Sequence, residues 1–214
     1  MSSFWLYTYV NGPNDGTSWL SIDETATLNT TEGFTIKPGV VSGKSYTYTG
    51  SPNDGTITSS LTGTNYSLLG NPYPSALDAN QFIEDNAVTN STILGTIYFY
   101  EAGSETDYAI GDDGGYATYN FSGGVGVGST STEVGGKTPQ QYIPVGQGFF
   151  VSGNSGGTVT FNNAQRALQT EGGSSVFLGK SAKKTNVSRE NNQYLRIKHK
   201  SQKPRNIGIR TVTE

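Results

Sequence analysis

Short runs of alternating aromatic, β-branched and small polar residues, each closed by a turn signal, constrain this chain more than any other feature. Phe4-Trp5-Leu6-Tyr7-Thr8-Tyr9-Val10 runs into Asn11-Gly12-Pro13-Asn14-Asp15-Gly16. Gly33-Phe34-Thr35-Ile36-Lys37 stops at Pro38-Gly39, and Thr56-Ile57-Thr58 follows Pro52-Asn53-Asp54-Gly55. The pattern recurs at residues 45–49, 66–70, 95–100, 116–121, 147–152 and 157–161. Period-two alternation gives each strand a buried and an exposed face. Gly, Pro, Asn and Asp supply the turn conformations between runs. Many short strands at this spacing imply an all-β fold, a jelly-roll-like β-sandwich. One short helix is predicted near 75–85, where Leu77, Phe82 and Ile83 fall near one helical face. Ser75 is its expected cap, with Asp78 as the acidic partner three residues on.

A core is within reach although only 33% of residues are hydrophobic, because 13 Tyr, 9 Phe and 2 Trp carry the bulk. Each aromatic buries on the order of 150–250 Å². Charged residues are 14% of the chain, too few for disorder driven by charge repulsion. There is no cysteine, which excludes disulfides and thiolate metal sites. Residues 1–179 hold four basic and 15 acidic residues, net −11, whereas residues 180–214 hold ten basic and two acidic, net +8. The reversal divides the chain into a module at 1–169, a polar linker at 170–192 and a basic segment at 193–214. That last segment reads as the first strands of a further domain or as an added strand. Met1-Ser2-Ser3-Phe4-Trp5 lacks the basic and apolar regions of a signal peptide. Either the chain is cytosolic or, the preferred expectation, its targeting segments lie elsewhere. No run approaches the ~18 apolar residues of a membrane helix, so membrane insertion is not expected.

An internal echo runs through the module. Trp5–Tyr9, Gly33-Phe34 and Tyr46-Thr47-Tyr48 follow the same order as Ile97–Tyr100, Gly148-Phe149 and Val159-Thr160-Phe161. Two interleaved halves would give this order, and so would strands with similar burial.

No constellation of catalytic residues stands out. His199 is the one histidine and lies between Lys198 and Lys200, a poor setting for a triad or for zinc. Asp23-Glu24, Glu84-Asp85 and Asp112-Asp113 are adjacent carboxylates. Glycosidases need two carboxyls facing across roughly 5–9.5 Å, and adjacent strand residues point to opposite faces. Asp107, Asp112 and Asp113, ahead of Gly114-Gly115, are candidate calcium ligands, since hard cations take oxygen donors. They compete with a reading in which such turns hold no ion. Trp5, Trp19, Tyr73, Tyr98, Tyr100, Tyr108, Tyr116 and Tyr119 supply flat faces, and Trp19, Tyr73, Tyr108 and Tyr116 are the candidates for a sugar platform. The competing reading places these aromatics in the core. The basic tail carries no nucleic-acid motif, and nucleic acid is not an expected partner.

Leu69-Gly70-Asn71-Pro72-Tyr73-Pro74-Ser75-Ala76-Leu77-Asp78-Ala79-Asn80-Gln81-Phe82-Ile83 resembles a module of large secreted proteins in Flavobacterium-like Bacteroidetes. Glu32–Lys37, Ile97–Tyr100, Tyr142–Val151 and Val159–Arg166 agree in order. Such modules resemble the region just ahead of a type IX secretion sorting domain. The resemblance implies an extracellular or cell-surface location and brings no catalytic residues. In physical terms, Pro72 and Pro74 end the preceding strand and let Tyr73 pack as a fixed plug. Gly148 before Phe149 is expected to allow close backbone approach. The expected function is a non-catalytic surface module, namely an adhesin segment, stalk or assembly component. Its partners would be other surface domains or a second copy. A carbohydrate-binding module is the alternative, and a polysaccharide-acting enzyme ranks below both.

Overall fold

The computed structural model describes residues 5–13, 15, 17–23, 25–37, 45–101, 115–127, 137–170, 172–176, 195–197 and 207–212. Strands β1 (Trp5–Tyr9), β2 (Trp19–Ser21), β3 (Phe34–Lys37), β4 (Ser45–Gly50), β5 (Ile57–Leu61), β6 (Tyr66–Gly70) and β7 (Ala76–Asp78) lead into helix α1 (Ala79–Ile83). Then follow β8 (Ile93–Glu101), β9 (Gly115–Asn120), β10 (Gly123–Val125), β11 (Tyr142–Ile143), β12 (Gly148–Gly153), β13 (Gly157–Phe161) and β14 (Arg166–Ala167). Strands β15 (Leu195–Ile197) and β16 (Ile207–Val212) close the described chain. The fold is all-β with one short helix, as the strand pattern implied, and its strands form several antiparallel sheets.

The central sheet has the order β10-β9-β8-β12-β6. Its inner face carries Leu69, Ile97, Phe99, Ala117, Tyr119, Phe149 and Val151. These pack with Phe82 and Ile83 of α1, with Leu61, Val159 and Phe161 of the β5–β13 ribbon, and with Leu77 and Ile143 of the β11-β7-β14 sheet. Phe82, Phe149 and Phe161 meet with ring centroids 5.1–6.5 Å apart. The outer face carries a second cluster around Leu68 and Phe150, roofed by Tyr9 of β1 and Trp19 of β2. The alternation along β6, β8 and β12 thus feeds two cores from one sheet.

The sheet β2-β1-β3 joins the free edge of β6. The Gly33 N–H donates to Leu68 O at 3.0 Å, and the Gly70 N–H donates to Thr31 O at 3.0 Å. Gly12 bridges Tyr66 further along that edge. Asn11-Gly12, a turn signal in sequence, is a junction here. Asn11 sits at φ +50°, a conformation that Asn tolerates better than most residues. From there its Nδ2 donates to Ser60 O, its Oδ1 accepts from the Thr62 N–H, and its carbonyl accepts from Asn65 Nδ2.

The helix starts later than expected. Ala76–Asp78 is held as a strand between Tyr142–Ile143 and Arg166–Ala167. Asp78, not Ser75, is the cap: its Oδ1 accepts from the N–H groups of Asn80 (2.9 Å) and Gln81 (3.4 Å). Strand pairing on both edges outweighs the local helical pattern at Leu77. After Ile83 the helix widens into a π-helical stretch, Glu84–Thr89. Asn86 Nδ2 donates to Phe82 O at 3.0 Å, taking the carbonyl that an α-helix would offer to the Asn86 backbone.

Candidate functional site

The exposed half of the outer face is where the fold presents chemistry. Cross-strand register sets Tyr100 opposite Tyr116, Tyr98 opposite Thr118, and Phe150 opposite both Tyr98 and Leu68. Tyr100 and Tyr116 lie 5.4 Å apart by ring centroid, Tyr116 and Phe150 5.8 Å, and Tyr66 and Tyr98 6.2 Å. Trp19 and Tyr9 reach the other side of Phe150 at 5.8 and 5.6 Å. The three contacts to Phe150 are edge-to-face, which suits the ring quadrupoles, while Tyr66–Tyr98 and Tyr100–Tyr116 are tilted; cross-strand register places Tyr98 beside Phe150 and so brings the rings into one ladder. Cover thins from β12 towards β10. Phe150 is 6% exposed, Tyr116 is 48% and Val125 is 65%. Outward positions on β8 and β9 are Leu94, Thr96, Tyr98, Tyr100, Tyr116, Thr118 and Asn120, without a charged residue. Burial, and then the neighbouring Tyr66, push the Tyr98 phenol above its ordinary pKa, so it remains a neutral hydroxyl at physiological pH. Such a face can stack against an apolar ring surface and exchange hydrogen bonds with hydroxyls.

Of the four platform candidates, Trp19 and Tyr116 share this ladder, both touching Phe150. Tyr73 does not join them. It is 2% exposed, its hydroxyl donates to Gly55 O at 2.6 Å, and the Arg166 guanidinium lies 5.2 Å from its ring centroid. It is the plug that the flanking prolines imply, and its burial raises its phenol pKa. Tyr119 turns to the inner face, where its hydroxyl donates to Asn80 Oδ1 at 3.1 Å. Tyr108, the candidate calcium ligands Asp107, Asp112 and Asp113, and His199 lie outside the described residues. Among the described residues no three or more His, Cys, Asp or Glu side chains gather as a metal site. Tyr9, Tyr66 and Phe150, absent from the sequence-based platform, belong to the ladder. Their signal was parity: Tyr66 and Phe150 occupy the outward register of the central sheet and Tyr9 faces them from β1, which shows only once pairing is known.

A second polar constellation lies on the inner side. Asp85 is surrounded by amides: Gln81 Nε2 donates at 2.8 Å, Asn162 Nδ2 at 2.8 Å and Gln165 Nε2 at 2.7 Å. Burial works against its charge, but these donors outweigh it and hold the carboxyl below its usual pKa. Asn86 extends the edge of β13 as a strand would, accepting from the Thr160 N–H at 2.7 Å and donating to Thr160 O at 2.9 Å. Gln165 closes a capping box with Asn162. Asn71 joins two motifs: its Nδ2 donates to Ser75 O (2.9 Å), Pro144 O (3.2 Å) and Ile143 O (3.4 Å), and its Oδ1 accepts from the Tyr73 N–H at 3.0 Å. The paired Asn-Pro-Tyr-Pro and Ile-Pro-Val-Gly-Gln-Gly segments are therefore physically one clasp. Gly148 is not its tight point. A Cβ there would meet Leu68 and Leu69 at 3.6 Å, an ordinary contact, whereas one at Gly33 would lie 2.7 Å from Leu69 O.

An all-β module with an aromatic outer face and internally satisfied polar clasps is the class that these elements define. The chain belongs to the family described as Domain of unknown function (DUF8693), which matches residues 1–210 and so runs across the charge reversal near residue 180. No curated protein and no solved structure matches it. Among the described residues no helix is long and apolar enough to cross a membrane.

Proposed function

We propose that this protein is a non-catalytic extracellular surface module, serving as an adhesin segment, stalk or assembly component of a secreted bacterial protein. The carrying observation is where the motif side chains direct their polar atoms. Asn71, Asp85, Asn86 and Gln165 bond to the fold's own backbone and amides, a use that builds a rigid scaffold. The resemblance to modules ahead of type IX sorting domains supports the exported setting. The test is protease treatment of intact cells producing the full-length protein, with adhesion scored before and after deletion of this module. The reading expects surface cleavage and lost adhesion. A protected chain, or turnover of a polysaccharide that disappears when one carboxylate becomes its amide, would count against it.

A second reading, carbohydrate binding, is favoured by the uncharged tyrosine and threonine face around Tyr116. A glycan array run with the protein and with Tyr116→Ala decides it. Binding that the substitution removes, with thermal stability retained, supports the reading, and silence across algal, plant and host glycans sinks it.

A further inference from the structure

Among the described residues strand β4 has one pairing, with a strand from the far end of the chain. Among the described residues β4 pairs only with β16, in the sheet order β15-β16-β4. The register covers all six positions, from Ile207 opposite Gly50 to Val212 opposite Ser45. The β15–β16 pair is weak by itself. It spans only three positions, from Leu195 opposite Thr211 to Ile197 opposite Ile209. Isolated two-stranded hairpins are marginal in water. The tail strand therefore depends on a β4, and β4 depends on a tail strand.

Nothing in this pairing requires one chain to supply both. About 30 residues separate Val176 from Ile207, a tether that spans on the order of 100 Å when extended. A stretch of that reach does not by its length confine the strand to its own chain, so same-chain and second-copy pairing compete through protein concentration. Charge does not separate the two cases: a tail of net +8 is attracted to its own body of net −11 and equally to a neighbour's.

We propose that β4 is a strand-addition site and that residues 207–212 of a second copy of this chain fill it by exchange with the chain's own strand. The pairing would be reciprocal in a closed dimer, or successive in a chain of copies. The inference goes beyond the surface reading, since it holds in whatever compartment the module works.

The absence of cysteine permits a direct test on the full chain. Two single variants, Ser45→Cys and Val212→Cys, are mixed in a glutathione redox buffer. The double variant is oxidised separately at high dilution. Thr47→Cys with Arg210→Cys serves as a second register pair in case the first perturbs folding. Ser18→Cys with Val212→Cys controls for random collision. The proposal expects a covalent species of twice the chain mass that joins position 45 to 212, increases with protein concentration and exceeds the control. It also expects the double variant to close within one chain when dilute. Double variants that close while the mixtures give no dimer would show a permanent strand within one chain and overturn the proposal. A mixed yield equal to the control, or double variants that fail to close, would overturn it as well.

Discussion

Replacing Asn71 tests whether the two motif segments form one clasp. The residue is 9% exposed, and its side chain reaches three carbonyls and one N–H. Asn71→Ala strands the Tyr73 N–H, on a residue 2% exposed, and removes the donor serving Ile143 O and Pro144 O. Each buried polar group left without a partner costs about 1–3 kcal/mol. Counting the N–H and one carbonyl gives a loss of about 2–6 kcal/mol, or roughly 4–24 °C in Tm for a chain of this size. Urea unfolding followed by tryptophan fluorescence reads the loss as a lower midpoint at unchanged slope. Asn71→Asp sharpens the test. It keeps the acceptor for Tyr73 but turns a second acceptor, charged at neutral pH, towards three carbonyl oxygens. It should therefore be less stable than Asn71→Ala at pH 7. Part of the deficit should return on acidification, because a protonated carboxyl again donates one hydrogen bond. A loss below about 0.5 kcal/mol for Asn71→Ala would place it among ordinary surface substitutions and refute the clasp. So would an Asn71→Asp protein as stable as the alanine variant at pH 7.

Two further expectations follow from the same geometry. Asp85 has its pKa lowered in the fold, so its contribution is full above the unfolded carboxyl pKa, about 3.9, and is lost as pH falls through the lower folded value. The Tm gap between the protein and Asp85→Asn should be widest near neutrality and close in acid; equal gaps at pH 3 and pH 7 would show that the charge has no part in it. Gly33→Ala should cost about 1–3 kcal/mol, since its Cβ would lie 2.7 Å from a backbone oxygen, while Gly148→Ala should stay under about 1 kcal/mol with contacts at 3.6 Å. Calorimetry on the two variants checks the order, and the reverse order would contradict the packing.

The strands were legible because alternation and turn residues are local properties. What escaped was set by neighbours distant in sequence. Tyr73 and Tyr116 look alike in sequence, each beside small or turn-forming residues. One is sealed between Gly55 and Arg166, and the other stands 48% exposed near the periphery of the sheet. Their difference is burial, which no local pattern encodes. Ser75 satisfied the local grammar of a helix cap, yet two flanking strands hold Ala76–Asp78 extended and pass the cap to Asp78. Asn86 falls just past the helix predicted near 75–85. Its role at the β13 edge depends on Thr160, 74 residues away.

The internal echo has a partial counterpart in the strand pairing. In both halves an aromatic strand pairs with its Gly-Phe strand, β1 with β3 and β8 with β12. Both Gly-Phe segments also border β6, one on each edge, through Glu32 with Leu69 and through Gly148–Ser152 with Gly70–Tyr66. To that extent the echo is architectural: β6 is a seam, and each side meets it with the same two-strand unit. The third members break the likeness, since β4 pairs with β16 whereas β13 pairs with β5. The glycines break it again, because Gly33 lies where a side chain would strike Leu69 O and Gly148 does not. A shared Gly-Phe pair thus reflects a shared position beside the seam, while the need for glycine there arises on one side only. Similar strands in one chain are evidence of similar placement, and whether each residue is obligatory has to be argued from its own contacts.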